Sequence, residues 1–336
     1  MKSVKTDYHI HPNYSIDASA VHIEEYCYRA LELGLTDICF TTHVELDPVR
    51  REKDNFVMVN GKKVSVFDRA WLDSYFHDIL RAQELFRGSS LQIKAGVEVG
   101  YCSGCEEDIE KIVNNYPFDF VLGAIHCLDH IAISSMKESP WYFQPRTLDQ
   151  VRRDYFATLQ EMVATGLFDC LAHVDLYVRY GSRYFGPEIK LLHEGLIEPI
   201  FKEMAQKGMG LEINTSSRRR GLEEFHPSRK IVALAAESGI TIFTVGSDAH
   251  TLAELGEYLD EAQAILQEFN LTNHVYNRRQ AVPCNDRLKN GIQVVKMQLA
   301  HVMVIGVMSR GSREAFFFCL AGYRGWPTET IMYSGS

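Results

Sequence analysis

DYHIHPNYSIDA, residues 7–18, carries a short apolar run, VKTDYHI, into two histidines set one residue apart, His9 and His11. Alternate residues of a strand share a face, so both imidazoles can reach one metal. Such a pair alone is a weak signal, and its weight comes from similar endings elsewhere. DICFTT is followed by His43, LQIKAGV by Glu98, FVLGAI by His126, DCLA by His173, and ITIFTVGS by Asp248 and His250, while a seventh run, MGLEI, ends at Asn214. In α/β barrels the carboxyl ends of parallel strands converge on one face, where active sites sit. Ligand-type residues at nearly every strand end are thereby gathered into one pocket, in larger number than a single metal can use. That pattern points to a polynuclear metal site and hydrolytic chemistry.

Around these ends the chain reads as a repeated βα alternation. Strands are expected over 5–10, 37–42, 91–97, 118–125, 169–174, 209–214 and 241–247. Between them, 68–87 shows Trp71, Leu72, Tyr75, Phe76, Ile79 and Leu80 at helical spacing, with Asp68 as a cap and Gly88 at the end. Thr147 and Gln150 form a capping-box signature for a helix over 147–165, closed by Gly166. A third helix is expected over 187–207, kinked at Pro199. Seven βα units are most simply a distorted (β/α)7 TIM-like barrel. An open sheet would cluster its ligands at one switch point rather than spread them over the strands. The long connections 44–66 and 127–146, the second with Trp141, Tyr142 and Phe143, should lie over the site and are candidates for substrate recognition.

The chain of 336 residues has a formal net charge of −9. That argues against a nucleic-acid partner, which demands a basic surface. No apolar run is long enough to span a bilayer, so no membrane partner is expected. The N-terminus enters a strand directly, without a leader, and the eight cysteines are scattered. Cys27, Cys39 and Cys170 lie in apolar contexts, and the set reads as free thiols of a cytoplasmic protein. Cys102 and Cys105 have the spacing of a zinc or redox pair, but no second CxxC follows, so the spacing reads as coincidence. Residues 1–283 are read as the barrel. Residues 284–336 depart from the pattern, with a surplus of three positive charges that leaves the rest of the chain near −12. This tail could serve a homo-oligomer contact.

Six of thirteen histidines fall at strand ends. Of the others, His22, His77 and His193 sit in helical patterns, His226 precedes Pro227 as a helix cap, and His130 lies near the site. Asp17 follows His11 in the first loop, and Arg179 follows His173. Arg218, Arg219 and Arg220 follow Asn214, on the face where a guanidinium could hold a phosphate bidentately.

Seven motifs, DYHIHPNYSIDA, FTTHVELD, AGVEVGY, FDFVLGAIH, LAHVDLYVRYG, LEINTS and VGSDAH, resemble in order those of the polymerase-and-histidinol-phosphatase (PHP) metallohydrolase superfamily. LAHVDLYVRYG, LEINTSSRRRGLEEFHPS and HVYNRRQAVP are most similar to its histidinol-phosphatase branch. The resemblance implies a seven-stranded distorted barrel and three divalent metal ions, for which zinc, manganese or iron suit the donors. It implies His9, His11, Glu98 and Asp248 at the first metal, Glu98, His126 and His173 at the second, and Asp17, His43 and His250 at the third. Glu98, Asp248 and His250 would be central to catalysis, and Arg179 and Arg219 would hold the substrate phosphate. The implied activity is hydrolysis of a small phosphomonoester, L-histidinol phosphate of histidine biosynthesis. Another phosphomonoester or a nucleotide, or a metal-binding module without turnover, stands as the alternative. SSRRRG departs from the branch's usual Gly after the first Ser, which implies a differently shaped loop.

Overall fold

The structure, a computed structural model, describes residues 5–285. Seven parallel strands follow one another in chain order: β1 (Thr6–Ile10), β2 (Asp37–Glu45), β3 (Gln92–Gly100), β4 (Phe120–Ala124), β5 (Cys170–Leu171), β6 (Gly210–Asn214) and β7 (Phe243–Gly246). The sheet curls until its edges meet. Ile10 bridges Ala249 in parallel, with His11 N donating to Ala249 O at 2.8 Å and Ala249 N to His9 O at 3.2 Å. The barrel is nearly closed and irregular. The β1–β2 register slips between Asp7 and Ile10, and β5 pairs over only two residues before the chain turns away at His173.

The helices follow their apolar periodicity. α1 (Ile23–Glu32), α2 (Ala70–Leu85), α3 (Glu106–Asn115), α4 (Leu148–Thr165), α5 (Ile197–Lys207), α6 (Arg229–Glu237) and α7 (Leu259–Glu268) each bury an apolar stripe, from Tyr26 and Cys27 on α1 to Ile265 and Leu266 on α7. Thr147 caps α4 through the reciprocal bonds to Gln150, and Gly166 ends it in the left-handed conformation. Asp68 Oδ1 accepts from Ala70 N at 3.0 Å, one turn-residue before the helix proper.

The expected helix over 187–207 is corrected. A 3-10 segment, Gly186–Leu191, and a turn containing Gly195 at φ 73° precede α5. Pro199 therefore falls in the first turn of α5, where a missing N–H breaks no bond and no kink is needed.

A smaller apolar cluster gathers Tyr8, Phe120, Leu122 and Cys170 from three strands with Val275 and Tyr276 of a hairpin, His274–Asn277 and Gln280–Pro283. Tyr276 N donates to Tyr8 Oη at 2.9 Å, and Arg279 pairs with Asp169 at 3.0 Å, just before β5. The hairpin is thus latched to the barrel at the strands' amino ends. Cys284, assigned to the tail by sequence, packs in this cluster and donates its N–H to Asn273 O at 2.9 Å. The basic residues and apolar stretches of the tail lie outside the described residues, as does His301. Cys27, Cys39 and Cys170 are buried free thiols as expected, but Cys102 and Cys105 are joined as a disulfide. The coincidental reading of that pair is overturned by their sulfurs being bonded.

Candidate metal centre

All nine ligand-type residues meet at the carboxyl end of the barrel. Glu98, fully buried on β3, stands at the middle, paired in register with His43 of β2. Its two oxygens face different groups. Oε1 lies 3.0 Å from His173 Nε2 and 3.3 Å from His126 Nε2. Oε2 lies 2.8 Å from His43 Nδ1, 3.3 Å from His9 Nε2 and 3.6 Å from His11 Nε2. Asp248 Oδ1 sits 3.3 Å from His11 Nε2 and 3.7 Å from His9 Nε2. At the more open side, Asp17 lies 3.3 Å from His250 Nε2 and 3.7 Å from His43 Nε2.

Four groups of three donors lie close enough to hold an ion: His9, His11 and Asp248; His9, Glu98 and His173; His43, Glu98 and His126; and His11, His43 and His250. His9 Nε2, His11 Nε2, His43 Nδ1 and Glu98 Oε2 are buried without a hydrogen-bond partner. Buried polar atoms are ordinarily paired, so convergent orphans of this kind fit divalent cations. His173 (φ 25°) and Asp248 (φ 55°) both hold left-handed backbone, strain of the sort that clusters at working sites.

The supporting shell was not anticipated from sequence. Glu212 Oε1 lies 2.6 Å from His9 Nδ1, and its Oε2 accepts from His173 N and Asn214 Nδ2, both at 3.1 Å. Glu45 Oε1 lies 2.5 Å from His126 Nδ1, and Ser15 Oγ lies 3.1 Å from His11 Nδ1. Each acceptor engages Nδ1 and so turns Nε2 toward the centre, the orientation metal-binding imidazoles use. Asn214, the seventh strand end, supports Glu212 rather than facing a metal. The available signals were an acid inside the apolar run MGLEI and an acid two residues beyond His43. Gly246 makes room for this shell: a Cβ there would approach His9 Cβ to 2.4 Å and Glu212 Oε1 to 2.5 Å.

The charges are strongly coupled. Burial pushes the Glu98 carboxyl upward, but His9, His43 and His126 outweigh it and hold it well below the usual range. Burial likewise lowers His9 and His126, yet Glu212 and Glu98 around the first, and Glu98 and Glu45 around the second, raise both well above an ordinary histidine. Burial, with His43 and His250 nearby, keeps His11 well below it, and burial takes His173 down to about 4.

A cavity of about 290 Å³ opens over the ligands. Arg179 lines it, buried, with Nη2 3.1 Å from Ser216 Oγ and 3.7 Å from Asp248 Oδ2. Arg219 does not. Its Nη1 and Nη2 donate to the carbonyls of Ser247 and Asp248 at 2.9 Å each, with Glu254 and Glu257 nearby, and Arg220 lines the cavity instead. Both long connections reach the cavity, through Arg50 and Asp54 from one and Ser134, Ser135 and Glu138 from the other. The aromatic candidates do not: Tyr142 and Phe143 are core residues and Trp141 is exposed. His130 is held by Asp47 Oδ2 at 2.7 Å. His226 caps nothing; Ser228 precedes α6, and His226 Nδ1 bonds Asp175 at 2.6 Å.

A parallel barrel whose strand ends pool histidines around a buried carboxylate defines a metal-dependent hydrolase. The chain belongs to the PHP domain family, matched over residues 7–216. It is 28% identical over 265 residues to a probable histidinol-phosphatase of Deinococcus radiodurans, covering 77% of this chain and 92% of that one. Against the histidinol-phosphatase of Lactococcus lactis it is 27% identical over 251 residues, covering 73% and 84%. The crystal structure of Lactococcus lactis histidinol phosphate phosphatase, complexed with zinc, L-histidinol and phosphate, shares the fold at TM-score 0.66 and 21% identity, covering 83% of this chain and 98% of that one. A putative histidinol phosphatase of Listeria monocytogenes gives a TM-score of 0.64 at 20% identity, covering 76% and 99%.

Proposed function

We propose that the chain is a phosphoric monoester hydrolase that converts L-histidinol phosphate to L-histidinol and phosphate, in the cytoplasm and in histidine biosynthesis. The observation that carries this is Glu98, a buried carboxylate whose oxygens address two separate sets of histidines. The names of the curated relatives supply the substrate. Three divalent ions are proposed, with zinc favoured by its presence in the Lactococcus lactis structure. His9, His11, Glu98 and Asp248 would hold the first, Glu98, His126 and His173 the second, and Asp17, His43 and His250 the third. When bound, such ions supply a water acidic enough to ionise near neutral pH and withdraw charge from phosphoryl oxygens.

The chain's own residues do the rest. Glu212, Glu45 and Ser15 fix the imidazoles, so little reorganisation accompanies reaction. Arg179 and Arg220 face the cavity as permanent cations and are placed to bind and orient the phosphoryl group. Arg219 holds the turn bearing Asp248 and so acts on the site through its ligand. Glu98, Asp248 and His250 remain the residues proposed to carry the chemistry, as holders of the reacting assembly. The test is phosphate release from a panel of phosphomonoesters, histidinol phosphate among them, by purified protein with defined zinc, manganese or iron. Preference for histidinol phosphate is expected; faster hydrolysis of a nucleotide or a sugar phosphate would reassign the substrate, and no release with any metal would reject the reading.

A further inference from the structure

The cavity segregates its charge. Arg179 and Arg220 line it together with Asp248, while Glu45, Asp54 and Glu138 line it around a single guanidinium, that of Arg50. Arg50 is 4% exposed and Glu138 15%, joined at 2.6 Å, with the Ala132 N–H donating to the same Glu138 oxygen at 3.3 Å. Glu45 is already committed to His126. Asp54 differs. Arg50 reaches it with both Nε and Nη2 at 2.5 Å, and both contacts fall on Oδ2. Its Oδ1 takes no hydrogen bond from any described residue. Glu138 also meets Lys53 Nζ at 3.5 Å on its Oε1 and Glu45 faces His126, which leaves Asp54 Oδ1 open to a further cation; burial in low dielectric makes an unpaired carboxylate oxygen there costly. The crowding shows in Asp54 itself: burial, with Glu45 and Glu138 close by, raises its carboxyl above the ordinary range despite Arg50. The cavity also carries an independent mark of a ligand at its other pole, since Arg179, 7% exposed, has an Nε with no hydrogen-bond partner.

We infer that Asp54, braced by Arg50 against Glu138, determines specificity by receiving on Oδ1 a protonated nitrogen of the substrate's alcohol portion, an alkylammonium or an imidazolium. The phosphate end then lies at Arg179 and Arg220, so the substrate's dipole runs along that of the cavity. This deepens the phosphatase reading and rests on it.

Four esters separate the contributions: histidinol phosphate, the same ester without its amine, 2-aminopropyl phosphate, and p-nitrophenyl phosphate, which bears no cationic nitrogen. In the metal-loaded enzyme Asp54→Asn is expected to raise KM about tenfold for esters carrying the recognised nitrogen, the loss of one charge-assisted hydrogen bond. Its kcat on those esters, its bound metal, and both constants for p-nitrophenyl phosphate should stay within about twofold of the parent. The ester that escapes the loss identifies which nitrogen is not held. An equal loss on p-nitrophenyl phosphate, or no change on any nitrogen-bearing ester, overturns the inference. Should Asp54→Asn fail to fold, inhibition of the unaltered enzyme decides: 2-aminopropanol or 4-(2-hydroxyethyl)imidazole should bind at least about tenfold tighter than 1-propanol, and equal inhibition by all three rejects the subsite. Hydrolysis of p-nitrophenyl phosphate with no preference for nitrogen-bearing esters overturns this inference alone, whereas no phosphate release from any ester overturns the phosphatase reading beneath it.

Discussion

At the scale of the residue, Glu98 concentrates the risk. Glu98→Ala should remove a ligand common to two metals, and both bound metal and turnover should collapse, while exposed His77→Ala on α2 leaves them unchanged. Metal analysis beside phosphate release checks the pair, and full activity of Glu98→Ala would refute the bridging role. The arginines separate by mechanism. Arg179→Ala or Arg220→Ala should lower kcat/KM at least about tenfold with metal content intact. Arg219→Ala should instead reduce metal retention, because it frees the carbonyls beside Asp248. Sequence could not make that distinction. Arg218 to Arg220 leave a single helical turn, Ser216–Arg219, where successive side chains diverge by about 100°. Which of three adjacent guanidiniums meets the cavity is set by that turn's rotation. The convergence of the ligand-type residues was legible because strand ends converge whatever the loops do. Glu212 and Glu45 were not, since each acts on a histidine 203 or 81 residues away. Proton linkage gives a further expectation. His9 and His126, raised above an ordinary histidine, keep protons near neutrality in the metal-free protein and must release them to bind a cation. Apparent metal affinity should therefore rise with pH and weaken on acidification. His11 and His173, held low, are already neutral and contribute no release. Calorimetric titration in buffers of different ionisation enthalpy measures the proton count, and a count of zero near neutrality would contradict the assignment.

At the scale of the element, local rules read well where local forces decide. The Thr147–Gln150 box caps α4 as its sequence indicates, and Thr147→Ala should lower unfolding free energy by about 1 kcal/mol in denaturant titration without changing KM. The strands were legible from their apolar runs, although β2 and β3 continue to Glu45 and Gly100, carrying His43 and Glu98 inside the strand rather than beyond it. Polar residues end an apolar pattern in the sequence, but a metal site buries them and the hydrogen-bond ladder runs on. The segment 187–207 misled for the opposite reason: its apolar spacing is helical throughout, but Gly195 takes a positive φ and divides it. Gly246→Ala, a change of one methyl group, should damage the site without touching a ligand, because the added carbon meets His9 and Glu212. Loss of metal affinity in a folded variant is the expected result; normal affinity would show that β7 can shift to admit it.

At the scale of the whole molecule, the barrel's closure was legible as a count of strands, but its latch was not. Nothing in HVYNRRQAVP announces that Tyr276 will meet Tyr8, 268 residues away, or that Arg279 will clamp Asp169. A chain ended after Asn285 should keep its metal and its kcat, since every proposed ligand and the latch precede that point. A folded, metal-loaded truncation without turnover would show that the remaining residues complete the site. The pairing of β1 with Ala249, and of Tyr8 with the hairpin, also sets an order of events at the ribosome. Pairings between distant parts of a chain form late, after the loop-closure entropy has been met. His9 and His11 emerge first but find Asp248 only when some 240 further residues have been made. Until then the nascent chain exposes the open edges of β1 and of its latest strand, along with unpaired imidazoles. The full set of ligand-type residues therefore comes together only once β7 has been made, and until that pairing the open strand edges are the chain's main liability to aggregation.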